Sequence, residues 1–153
     1  MSGDETVGPL GDSVGYALKR AAAALRGAME AALRPLELTV PQYACLELLG
    51  QRPGLSNAEL ARGAFVTRQA TNGVLRGLEE RGLVTRPGTA PHGRALPAEL
   101  TAAGRELLRS ASTAVRAVER RMLEPLEVGR QERFREDLAA CTAALGERRL
   151  EGP

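Results

Sequence analysis

Tryptophan is absent from this 153-residue chain, and two phenylalanines, two tyrosines and a single histidine are its remaining ring-bearing residues besides proline. With one histidine, His92, and two widely separated cysteines, Cys45 and Cys141, no zinc-like ligand spacing exists. There is also no glycine-rich phosphate loop and no nucleophile placed beside a histidine, so the sequence does not read as an enzyme and implies no cofactor or metal. No run of 18 apolar residues occurs, which excludes a transmembrane helix. The start, MSGDETVGPLGDS, is acidic and glycine-rich, without the basic beginning and apolar centre of a secretory signal. Residues 1–12 are therefore expected to form a flexible arm, and the chain to be cytoplasmic with reduced cysteines. Lysine is nearly missing too: among 21 basic residues only Lys19 is one, a bias given no mechanistic weight.

What is present begins to speak at Ser56. Ser56 and Glu59 have the spacing of a capping box, in which each side chain satisfies the other residue's backbone N–H at a helix start. That helix should end near Gly63, with Phe65 as an apolar anchor in the turn. Thr67 is a good N-cap for a second helix running toward Arg81 and stopping at Gly82. On a wheel of about 100° per residue, Thr71, Val74, Leu75 and Leu78 share an inward side. Gln69, Asn72, Gly73 and Arg76 lie opposite, with Thr67 and Arg68 at the amino-terminal end.

Gln and Asn can read adenine bidentately, and Arg can read guanine or hold phosphate. Gly73 costs about 1 kcal/mol of helix stability relative to alanine, but allows a close approach of backbone to DNA. A solvated amphipathic face would look similar. The following segment separates the two readings: Leu83 to Arg86 reads as a strand, Pro87 to Gly93 as a turn-rich tip, and Arg94–Leu96 with Ala98–Leu100 as a returning strand. Pro97 is admissible there only at an edge or bulge. Two short helices followed by an arginine-bearing hairpin make a winged helix-turn-helix. Although net charge is only +2, residues 62–94 hold six arginines against two glutamates, a local basic footprint suited to nucleic acid.

Three longer helical stripes flank this module. Val14, Leu18, Leu25, Met29 and Leu33 recur before Pro35; Leu108, Ala111, Val115, Val118 and Met122 recur before Pro125; Phe134, Leu138, Cys141 and Leu145 follow. Terminal stripes with no evident partner inside a domain already centred on a winged helix point to pairing with a second copy. The expected fold is thus mainly α with a small β-wing, organised as one intertwined domain. Residues 13–35 and 101–153 form the helical dimerisation region and residues 36–100 the winged helix-turn-helix. A two-fold dimer would set two recognition helices about 34 Å apart, one turn of DNA. Both cysteines lie on apolar stripes, which favours buried packing over a reactive thiol.

The signals Leu38-Thr39 with Gln42 and Leu46, Leu78-Glu79-x-x-Gly82-Leu83-Val84-x-Arg86, and Gly93-Arg94 with Leu100-Thr101-x-x-Gly104 together resemble the MarR (multiple antibiotic resistance regulator) family of bacterial transcription regulators, from about Ser13 to Leu145. The resemblance implies a homodimeric repressor of a pseudo-palindromic double-stranded operator, released by a small ligand or an oxidant. It also implies Arg94 in the minor groove, and an effector pocket between the dimer-forming helices and the DNA-binding module. Tyr16, Arg20 and Tyr43 are the candidates there for a small aromatic or phenolic effector. The sequence departs from the family at Gln69-Ala70-Thr71-Asn72-Gly73, where many members carry a Ser/Thr-rich stretch ending in Arg. It departs again at His92, where an Asp is usual. The alternative is a winged-helix scaffold that works through protein contacts without specific DNA binding.

Overall fold

The computed structural model describes residues 8–86 and 97–146. After a short 3-10 turn at Leu10–Asp12, helix α1 runs from Val14 to Leu33, started by Ser13, whose hydroxyl accepts from the Tyr16 amide. A second 3-10 turn, Arg34–Leu36, contains Pro35 and hands over to α2, Val40–Gln51. Thr39 caps α2 through a full capping box with Gln42, each side chain accepting from the other's backbone N–H. Helices α3 (Asn57–Ala64) and α4 (Arg68–Glu80) follow, then strands β1 (Val84–Thr85) and β2 (Glu99–Leu100), then α5 (Ala102–Leu123) and α6 (Val128–Leu145).

The core sits where α2, α3, α4 and α5 meet the base of the two-stranded sheet. Leu33, Cys45, Leu46, Leu60, Leu75, Leu78 and Ala111 are fully buried there. The strands pair antiparallel, Val84 opposite Leu100 and Thr85 opposite Glu99, with Val84 and Leu100 facing the core. The strands are shorter than the sequence implies, and β2 starts two residues beyond Pro97, whose missing N–H cannot join the ladder. The expected tip and the Arg94–Leu96 strand, including His92 and Arg94, lie outside the described residues.

Thr101 locks the sheet to α5. Its hydroxyl caps α5 by accepting from the Gly104 amide and also donates to the Gly82 carbonyl at 2.7 Å, while its own amide donates to the Leu83 carbonyl at 3.1 Å. Across the module, Arg81 at the end of α4 donates to the Glu37 and Leu36 carbonyls at 2.7 and 3.3 Å. These bonds tie α4 to the turn that joins α1 to α2.

Packing against one chain uses only part of the long stripes. Along α1, Leu33 is buried but Val14 and Leu18 are exposed; along α5, Ala111 and Val118 are buried but Met122 is exposed. Helix α6 buries no residue: Phe134, Leu138, Cys141 and Leu145 are all exposed. The expectation of burial for Cys141 is corrected accordingly, because no residue of α6 is buried against the described remainder of the chain. Cys45 does pack inside, and burial pushes its thiol up to about 11, so it stays protonated at neutral pH. Among the described residues no helix is long and apolar enough to cross a membrane.

Candidate nucleic-acid interface

Helix α3 begins at the capping box Ser56–Glu59, with both reciprocal bonds formed. The Ser56 amide and hydroxyl hold the Glu59 carboxyl below the usual carboxylate range. The helix ends in a left-handed residue, Phe65, at φ 58° and ψ 40°. Phe65 is 83% exposed, so the expectation of an apolar anchor is overturned. Its role is conformational: the positive φ reverses the chain so that the Phe65 and Val66 amides can close the end of α3 on Arg62 and Ala61.

Thr67 then caps α4, its hydroxyl accepting from the Ala70 amide at 3.0 Å. The inward side is as the wheel implies: Thr71, Leu75 and Leu78 are fully buried and Val74 half-buried, with the Thr71 hydroxyl satisfied by the Thr67 carbonyl. Arg68, Gln69, Asn72, Gly73 and Arg76 are exposed on the other side. At Gly73 an added Cβ would meet nothing within 4 Å among the described residues, so packing against them does not require glycine there.

Asn72 is not isolated on this face. Asn57, the first residue of α3, donates from its side-chain amide to the Asn72 amide oxygen. Arg86, just past β1, donates to the Asn57 oxygen at 3.1 Å and is paired through Nε with Glu79 of α4 at 2.7 Å. The sequence reading missed this relay because its members are 15 and 29 residues apart.

The effector candidates lie on two helices. Tyr16 and Arg20 are exposed on α1, whereas Tyr43 is half-buried on α2 and donates to Glu47 at 3.3 Å. Burial raises the Tyr43 hydroxyl pKa above its ordinary value. Glu47 also accepts from Ser112 at 2.9 Å and from Gln51 at 2.7 Å. Beside it, a groove of about 660 Å³ between α2, β2 and α5 is lined in part by Arg105, Arg109, Ser112 and Arg116. The four-residue spacing of Tyr43, Glu47 and Gln51 was a visible signal for the α2 side of this cluster.

A short helix, a tight left-handed turn, a second helix with a polar exposed face, and the base of a two-stranded sheet define a winged helix-turn-helix. Residues 36–95 match the MarR family model, and the chain belongs to that family. It is 52% identical over 122 residues to the HTH-type transcriptional repressor Rv2887 of Mycobacterium tuberculosis, covering 80% of this chain and 88% of that protein. The crystal structure of Rv2887 in complex with DNA shares a TM-score of 0.72 at 48% identity, covering 84% of this chain and 97% of the other. The Rv2887 complex with salicylic acid matches at 0.71 and 50% identity, covering 84% and 96%. CouR from Rhodococcus jostii RHA1 bound to p-coumaroyl-CoA matches at 0.78 and 28% identity, covering 88% and 94%.

Proposed function

We propose that this chain is a cytoplasmic homodimeric repressor without enzymatic activity, which binds a pseudo-palindromic operator and is released by a small aromatic acid. The observation that carries the reading is the exposed face of α4, where Thr67, Arg68, Gln69, Asn72 and Arg76 surround Gly73 opposite the buried Thr71, Leu75 and Leu78. In this reading Gln69 and Asn72 meet base edges, Arg68 and Arg76 meet phosphate or guanine, and Arg94 enters the minor groove from the wing. Residues 13–35 and 101–153 pair the two subunits, and residues 36–100 of each occupy one half-site. Family membership and the DNA complex of a relative at 48% identity support it.

The effector is proposed to meet Tyr16 and Arg20, one helical turn apart on α1, and Tyr43 beside the arginine-lined groove. A guanidinium offers a carboxylate two parallel hydrogen bonds, and a tyrosine ring offers a flat apolar surface. Release then follows if the ligand favours a dimer whose reading heads are spaced incorrectly for DNA.

An electrophoretic shift titration with DNA from the region upstream of the coding sequence, at two salt concentrations, tests the reading. Expected is a specific complex whose affinity falls steeply with salt as phosphate-bound counterions return, and which salicylic acid dissociates. Absence of a sequence-specific complex would defeat it in favour of a protein-contact scaffold.

A further inference from the structure

Asn72 lies mid-face on α4, and its amide orientation is set from two other elements. The Arg86 guanidinium can only donate, whereas each asparagine amide has one accepting oxygen and one donating nitrogen. Arg86 donates from Nη2 to Asn57 Oδ1, which turns the Asn57 nitrogen toward α4. That nitrogen donates in turn to Asn72 Oδ1, so the Asn72 oxygen faces α3 and its nitrogen is directed away from it. Arg86 is itself held by Glu79 at 2.7 Å with its side chain only 22% exposed, so the start of the relay is anchored. Its direction follows from donor and acceptor identity alone.

We propose that Arg86 and Asn57 are positioning residues that fix Asn72 as a hydrogen-bond donor on the DNA-reading face. Asn72 then selects a base edge rich in acceptors, such as guanine N7 and O6 or thymine O4. It does not read adenine bidentately, which would need its oxygen and nitrogen turned to the same base. The inference rests on α4 being the DNA-reading helix.

The near-isosteric substitution Asn57→Asp tests the relay. A carboxylate accepts only, so it would take Arg86 on one oxygen and the Asn72 nitrogen on the other. The Asn72 oxygen would then face outward and accept from an exocyclic amine of cytosine or adenine. Added charge at the first residue of α3 suits the positive end of the helix dipole, so the variant should fold.

Full-length wild type, N57D and N72A would each be selected against a pool of duplexes with a randomised central segment, and the bound DNA sequenced. Circular dichroism melts would confirm folding. Expected is a shift at one base position per half-site, about five- to ten-fold toward the amine-bearing base in N57D, with other positions unchanged. If N57D enriches the wild-type base while N72A loses that preference, the relay is overturned and DNA reading by α4 stands. If the wild type enriches no sequence, the reading of α4 fails and the relay with it. Should N57D not fold, Asn57→Ala leaves the Asn72 amide free to turn. Loss of preference at that position supports the relay, and an unchanged preference overturns it.

Discussion

At Gly104 an added Cβ would lie 2.0 Å from the Leu83 carbonyl oxygen, a backbone atom held in place because it also accepts from the Thr101 amide. At Gly73 the same Cβ would meet nothing within 4 Å among the described residues. One substitution should therefore have opposite signs at the two positions. Gly104→Ala must push α5 away from β1 and is expected to cost about 2–3 kcal/mol, the range of an overpacked contact that cannot relax. Gly73→Ala should stabilise the free protein by about 1 kcal/mol through helix propensity, yet weaken operator binding by filling the space that lets the α4 backbone come close to DNA. Urea melts and shift titrations on both variants check this. A destabilised Gly73→Ala would mean that the glycine serves folding rather than contact.

Cross-element bonds hold the module together, and they can be ranked. Ser56 only caps α3, whereas Thr101 caps α5 and also donates to the Gly82 carbonyl that ends the turn into β1. Ser56→Ala should cost about 1 kcal/mol, an ordinary N-cap loss, and Thr101→Ala about 2 kcal/mol, since a second bond goes with the cap. Equal losses in chemical denaturation would show that the Gly82 bond contributes nothing net. The Ser56 cap was legible in sequence, as was that of Thr67 on α4, because a cap is a local pattern with donor and acceptor three residues apart. So was the division of α4 into a Leu75–Leu78 side and a Gln69–Asn72 side, which follows from helical period. The Phe65 conformation was not legible, since apolar character implies burial and only the closing bonds of α3 show why a turn residue is needed there. Nor were the contacts of Arg81 with Glu37, or of Arg86 with Asn57, whose partners are 44 and 29 residues away. Such pairs depend on how elements dock, which period and capping do not encode.

At the scale of the molecule, the long helices present apolar surface that one chain does not cover. Phe134 and Leu138 on α6 are 39% and 38% exposed and Leu145 is 90% exposed, while Val14 and Leu18 on α1 are 83% and 51% exposed. Covering such surface is favourable by about 25 cal/mol for each Å² of apolar area removed from water, so a second copy that covers several of these residues in symmetry-related pairs gains a driving force for association. Two-fold pairing would also place two copies of α4 on one side of the assembly, as an operator with two half-sites requires. Leu138→Asp puts a charge in the middle of the α6 stripe and is expected to convert the dimer to monomer at micromolar concentration, measured by sedimentation equilibrium. The core formed by α2, α3, α4 and α5 does not involve α6, so the variant's reading module should keep its fold. Its affinity for a two-half-site duplex should fall at least ten-fold, because one half-site then binds without the effective concentration supplied by the other. A variant that remains dimeric with wild-type affinity would show that α6 does not hold the two subunits together, and would move the interface to the exposed faces of α1 and α5.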